Sequence, residues 1–191
     1  MTTKLLITAA ALAVIVPSSF AQTTVAYDNA DLSAYSPQPD HNWSIANGGF
    51  GFNLWTAIGG GGGTYMEGVG VNNRQVDGNY SFAIYPGGAS YSISRPLTSS
   101  MTSGEFSIIT RFDLAGAGPN LVNLRTGNNT SGFGLGELLS FGIVNGNQLS
   151  YTDGAGFHTL PSGESRGSVS SWNIDFDSSL GTYSGSVTNL G

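Results

Sequence analysis

Residues Gly104 to Leu114, GEFSIITRFDL, alternate with a period of two. Phe106, Ile108, Thr110, Phe112 and Leu114 fall on one side; Glu105, Ser107, Ile109, Arg111 and Asp113 fall on the other. An extended strand buries one of those sides and wets the other, whereas a helix would scatter the apolar set around its axis. SVSSWNIDFD, Ser168 to Asp177, repeats the device, with Trp172, Ile174 and Phe176 opposite Asn173, Asp175 and Asp177. SSLG and then TYSGSV follow, which predicts a hairpin turning over Ser178 to Gly181.

Helical periodicity is nearly absent after the first twenty residues. Only 9% of residues are charged and 29 are glycine, and Gly, Ser, Thr and Asn are poor helix formers. Further strands are expected at TTVAYD, GFNLWTAI, TYMEGVG, YSFAIYP, ASYSISRPL, NLVNLRT, GFGLGE, LLSFGIV and QLSYTD. Turn signals such as Asn47-Gly48-Gly49, Asp77-Gly78-Asn79 and Asp153-Gly154 recur between them, and such dipeptides tolerate the positive φ of tight hairpins. The expected fold is all-β: one two-sheet antiparallel sandwich. The last strand runs almost to Gly191 with no closing signal, which reads as a domain truncated at its C-terminus.

Lys4, the apolar run Leu5 to Val16, Pro17 and the small residues Ser19 and Ala21 read as a secretory signal peptide over residues 1–21. The run is short of the roughly 20 residues a membrane helix needs, and no later segment is apolar enough to span. Residues 22–191 then form a single sandwich domain that is secreted or carried on the cell surface. The chain has no cysteine, and a domain of this size folds without disulfide staples. Net charge is −6, and the only lysine is Lys4, so nucleic acid and anionic membranes are not expected partners.

Gly59 to Gly63 form an unbroken run. A phosphate loop would end in Gly-Lys-Ser/Thr, but Thr64 and Tyr65 follow, and a dinucleotide fingerprint would open a helix, not a strand. The run reads as an exposed crossing between strands. Its second reading is bare backbone that makes room for a flat ligand beside an aromatic ring. Trp55, Tyr65, Tyr85 and Trp43 are the candidate ligand-binding residues, because an exposed ring can stack on the C–H face of a sugar. Against this, most aromatics of a sandwich are core.

Asp175 and Asp177 share a strand face and are the candidate calcium ligands; the solvated face of an amphipathic strand is the preferred reading, because a calcium site needs more oxygens than these two offer. Asp28 and Asp31 raise the same question. His41 and His158 lack the spacing of a zinc site, and no Gly-x-Ser-x-Gly elbow is present. No cofactor is expected.

YDNA, NGGFGFNLWT, the glycine run, YSFAIYPGGASYSISRPL with its Arg95-Pro96-Leu97, and LTSSMTSGEFSIITRFDL resemble secreted bacterial members of the concanavalin A-like lectin/glucanase superfamily, over most of residues 25 to 188. The resemblance implies a jelly roll and a sugar ligand. The glucanases of that superfamily carry Glu-x-Asp-x-x-Glu on one strand, so that alternation aims the acid and the nucleophile into one cleft. The nearest stretch here, Asn173-Ile174-Asp175-Phe176-Asp177, lacks both glutamates. Expectation therefore settles on a non-catalytic, lectin-like module contacting extracellular or cell-surface carbohydrate or matrix. The alternatives are a structural or adhesive surface protein without a small ligand, and a divergent glycoside hydrolase.

Overall fold

The computed structural model describes residues 23–35, 43–60, 62–68, 74–85, 91–113, 120–125, 137–143, 148–153, 155–160 and 166–191. The signal-peptide reading and His41 lie outside these residues. Within them the chain is all-β, with one short 3-10 turn at Trp43–Ile45. No helix among them is long and apolar enough to cross a membrane.

The chain pairs in nested fashion. β1 (Thr56–Gly59) pairs antiparallel with β4 (Tyr91–Ser94), and β2 (Gly63–Gly68) and β3 (Tyr80–Tyr85) pair between them in sequence. Gly59 closes β1 and Gly63 opens β2, so the glycine run lies between two two-stranded ribbons; Gly59 and Gly60 are exposed, whereas Gly62 and Gly63 are half-buried.

β5 (Ser103–Arg111) pairs in unbroken register with β10 (Val169–Asp177), from Val169 opposite Arg111 to Asp177 opposite Ser103. β11 (Thr182–Asn189) adds to the far side of β10, giving the order β11-β10-β5. The β10–β11 hairpin turns over Ser178 to Gly181, where Gly181 has φ 63°; an L side chain resists that conformation. β6 (Asn120–Arg125), β7 (Glu137–Ile143), β8 (Leu149–Asp153) and β9 (Gly156–Thr159) form a meander enclosed in sequence by the β5–β10 pair.

The two larger sheets pack face to face as a sandwich-like pair. Leu139, Phe141, Ile143 and Leu149 of the meander meet Trp172 and Ile174, with Phe106, Ile108, Phe112, Val122, Leu124 and Val187 around them. Every one of these β5 and β10 residues lies on the apolar side of the alternation. Phe141 and Trp172 touch across the layers, with ring centroids 4.3 Å apart. Thr110 interrupts the apolar face for a reason: its Oγ1 accepts the buried Trp172 indole N–H at 2.9 Å, which would otherwise have no water to bond.

A second core sits under the ribbons, made of Ala30, Tyr35, Trp43 and Met66, with Leu32, Ala46, Trp55, Phe82 and Ile93 against it. β9 was not among the expected strands. Its four residues, GFHT, are too short to show a period, and only the turn before it is visible in the sequence.

Candidate functional site

The β2–β3 ribbon decides where the candidate aromatics go. Directly paired residues of an antiparallel ladder share a face, and the register sets Gly63 opposite Tyr85, Tyr65 opposite Ala83 and Met66 opposite Phe82. Met66 and Phe82 face the second core. Tyr65 and Tyr85 face the other way.

Trp43 and Trp55 belong to the core side. Trp43 is 3% exposed, packs at 4.8 Å from both Trp55 and Phe82, and donates its indole N–H to the Ala83 carbonyl at 3.1 Å. It offers no ring to a ligand. Trp55 is half-buried and donates to the Tyr35 hydroxyl at 3.3 Å. One ring face is taken by the Arg95 guanidinium, 5.0 Å from the centroid. Both pack with Phe82 on the core side, away from Tyr65 and Tyr85.

Tyr65 and Tyr85 are brought together, with ring centroids 5.7 Å apart and planes at 61°. The Tyr85 side chain is 44% exposed. Its ring lies on the bare backbone of Gly63, where an added Cβ would come within 2.8 Å of Tyr85 Cε1. A tyrosine laid across a directly opposed glycine covers backbone that no side chain shields. The same ladder repeats the pairing at its far end, where Tyr80 covers Gly68. The space beside the glycines is thus filled by the protein's own rings, and the outer face of Tyr85 is held toward solvent.

Polar groups gather behind this ring pair. Glu67, buried on the same ribbon face, accepts the Tyr65 hydroxyl's hydrogen bond. Burial first, then that bond and the charges of Glu67 and Asp113, push the Tyr65 hydroxyl up to about 12, with Arg74 opposing. Tyr65 is therefore a neutral hydrogen-bond donor. Asp113, just past β5, bonds Arg111 Nε at 2.6 Å and lies 3.8 Å from Arg74 Nε, whose side chain is half exposed. A flat ring, a carboxylate and a solvent-facing guanidinium thus share one neighbourhood.

The calcium candidates are used differently from one another. Asp177 Oδ1 accepts from Ser179 Oγ at 2.6 Å, Ser179 N at 2.9 Å and Leu180 N at 3.2 Å. The Ser179 hydroxyl, ahead of the backbone N–H groups, holds its carboxyl below the ordinary range. Asp177 therefore caps the hairpin turn. Asp175 is exposed and stands directly opposite Glu105 of β5, a pairing that only the register reveals. Among the described residues no three His, Asp or Glu side chains are grouped to hold a metal ion. Asp31 bonds Asn79 N at 2.9 Å and Tyr80 N at 2.7 Å, pinning the turn before β3.

Two polar centres were not foreseen. The first is Arg95. Its Nε donates to Asn53 O at 2.9 Å, Nη1 to Asp28 and to Tyr35 Oη at 3.3 Å, and Nη2 to Asn47 Oδ1 and to Gly48 O at 2.8 Å. All five N–H donors of the guanidinium are spent, and the side chain is only 4% exposed. Burial pushes the Asp28 carboxyl up from 3.8, and the Tyr35 hydrogen bond and the Arg95 charge only partly offset this. The second is Asp153, which accepts from Ala155 N, Gly156 N and the Tyr183 hydroxyl and lies 3.2 Å from His158 Nε2. His158 in turn stacks on Tyr151 at 4.6 Å. Desolvation works to raise the Asp153 carboxyl, but the Ala155 N–H, His158 and the Gly156 N–H outweigh it and hold it low. Because Tyr183 is on β11, Asp153 ties the two sheets together at their rim. Arg-Pro-Leu was a visible sequence signal for the first centre; a lone Asp-Gly turn followed by His was the only one for the second.

No family model, no curated protein and no solved structure matches the chain.

Proposed function

We propose that this chain is a secreted, non-catalytic, lectin-like binding module that contacts extracellular or cell-surface carbohydrate through Tyr85 and Tyr65, on a jelly roll of the concanavalin A-like type. The observation that carries this reading is the Tyr85 ring laid on Gly63 with its outer face in solvent. A ring already seated loses little freedom when a pyranose stacks on it, and preorganisation of that kind favours binding. The Tyr65 hydroxyl oxygen, Arg74 and Asp113 supply an acceptor, a cation and a carboxylate for hydroxyls within the same neighbourhood. The N-terminal leader accounts for access to such ligands.

Affinity electrophoresis through gels cast with soluble polysaccharides tests the reading. Retardation by at least one polysaccharide, lost in Tyr85→Ala and kept in Trp43→Phe, is the expected result. An unretarded protein on every polysaccharide would instead favour the structural or adhesive reading. That second reading rests on the exposed apolar side chains Tyr27, Phe50 and Leu54, which suit contact with another macromolecule.

A further inference from the structure

Asn47 precedes Gly48 in the stretch between the Trp43–Ile45 turn and Phe50. In this dipeptide an asparagine side chain closes readily on the next backbone nitrogen, because glycine sets no Cβ beside that nitrogen. Closure is helped by positive charge at the side-chain oxygen, by a route for the nitrogen's proton, and by a fixed approach of the two residues. The buried Arg95 centre supplies all of these.

Arg95 Nη2 donates to Asn47 Oδ1 and, at 2.8 Å, to Gly48 O. One nitrogen thus holds both residues. Its charge lies against the oxygen that turns negative when the side-chain carbonyl is attacked. Gly48 is buried against the Tyr35 ring, where an added Cβ would clash with Tyr35 Cε2. The Gly48 N–H donates to the Tyr35 hydroxyl oxygen, and that hydroxyl donates to Asp28 Oδ2 at 2.8 Å. Burial raises both the Tyr35 hydroxyl and the Asp28 carboxyl above their ordinary values. The hydroxyl therefore keeps its proton and can relay another, and Asp28 is a stronger base than an exposed aspartate. Asn47 itself is exposed, which lets ammonia leave and water enter.

We propose that Asn47-Gly48 is a self-modifying site, at which the Arg95, Tyr35 and Asp28 cluster drives intramolecular deamidation of Asn47 through a succinimide. Gly48 N bonds to Asn47 Cγ while its proton passes to Tyr35 Oη and the Tyr35 proton passes to Asp28. The carbonyl electron pair moves onto Oδ1, beside Arg95. The oxyanion then collapses, the Cγ–Nδ2 bond breaks, and the relay returns its proton so that the nitrogen leaves as ammonia. Water adds to either carbonyl of the ring. Opening the Cγ–N bond gives aspartate at 47; opening the backbone C–N bond gives isoaspartate. Nothing is oxidised or reduced. The aspartate product sets a second carboxylate on Arg95, at Nη2, while Asp28 keeps Nη1.

The test follows residue 47 by peptide mass spectrometry during incubation of the native protein at neutral pH, beside a synthetic peptide of residues 44–51. Asn47 of the native protein should convert several-fold faster than Asn47 of the peptide. Isoaspartate should be among the products, because only the ring route makes it. Tyr35→Phe keeps the ring against Gly48 and deletes the relay, so it should slow conversion to the rate of the peptide or below. Conversion of the native protein no faster than the peptide overturns the proposal. So does aspartate formed without isoaspartate, or a folded Tyr35→Phe protein that converts at the parent's rate. The comparison of native protein with peptide uses no variant, so it decides the matter even if Tyr35→Phe fails to fold.

Discussion

Arg95 and Asp28 form a buried ion pair across 67 positions of the chain. The guanidinium lies between the rings of Phe52 and Trp55, 5.0 Å from each centroid, and binds four separate segments besides its own. Its partner Asp28 also accepts from Tyr35 Oη at 2.8 Å. Removing the carboxylate leaves a desolvated cation. Asp28→Ala, which deletes the acceptor of both Arg95 and Tyr35 and leaves their donors unsatisfied, is expected to lower stability by about 1–3 kcal/mol. Arg95→Lys should also destabilise, because an ammonium cannot reproduce a planar five-donor fork. Urea unfolding monitored by tryptophan fluorescence measures both.

The Trp172 indole and the Thr110 hydroxyl give a second test, this time in the main core. Thr110→Val keeps the shape of the side chain and deletes the acceptor. The cost expected is about 1–3 kcal/mol, the penalty of a buried donor left unsatisfied. Thr110→Ser, which restores the hydroxyl, should recover most of it. A Thr110→Val protein as stable as the parent would mean that the indole N–H reaches another acceptor.

Gly63→Ala separates the seating of Tyr85 from its chemistry. The added methyl carbon would lie 2.8 Å from Tyr85 Cε1, and the ring must swing aside. Polysaccharide retardation is expected to fall as far as in Tyr85→Ala, while the free energy of unfolding changes by less than about 1 kcal/mol, since an exposed side chain yields easily. Retardation unchanged in Gly63→Ala would remove the seated ring from the binding argument.

Asp175 and Glu105 face each other with like charge on the solvent side of the β5–β10 ladder. Asp175→Asn is expected to stabilise by about 0.2–1 kcal/mol, with the gain shrinking as salt is added. The same variant examines the hydrolase alternative. Sugar release from a polysaccharide by the parent that disappears in Asp175→Asn would replace the binding reading with a catalytic one.

The pH dependence has opposite signs at two aspartates. Asp177 is held below the ordinary range when folded, so the unfolded chain binds its proton first. Its contribution is present above 3.8 and is lost as pH falls through the folded value. Asp28 is raised, so the folded state keeps its proton longer, and stability from this group declines as pH climbs from 3.8 through the folded value. Asp177→Asn should flatten the acid limb of a plot of melting temperature against pH. At the alkaline end Tyr65, raised to about 12, costs stability as pH rises from 10 toward that value, and Tyr65→Phe should remove the decline.

Much of the main sandwich was legible residue by residue. β5 and β10 declare their buried faces through strict alternation, and the β10–β11 turn is announced by its composition. Those signals are local, set by the two-residue repeat of an extended chain. The candidate site was legible only in part. Tyr65 and Tyr85 were named together with Trp43 and Trp55, and nothing in the linear order tells that the tryptophans pack from outside the β2–β3 ribbon onto its core face, with Phe82, while the tyrosines take the other. The roles of Arg95, Asp113 and Asp153 were not legible, because each depends on partners from strands or loops far along the chain.

The amino-acid order alone determined that this chain builds antiparallel ribbons, which side chains of its longest strands turn inward, and where its clearest hairpin bends. Those properties follow from backbone sterics and from the segregation of apolar side chains along a few neighbouring residues. The tertiary structure decided which strands lie beside one another, and with that everything polar. It seated Tyr85 on Gly63, set Asp175 against Glu105 and wrapped Arg95 in acceptors. Register and layer packing are settled by the summed burial of distant segments, a quantity that no short stretch of sequence contains.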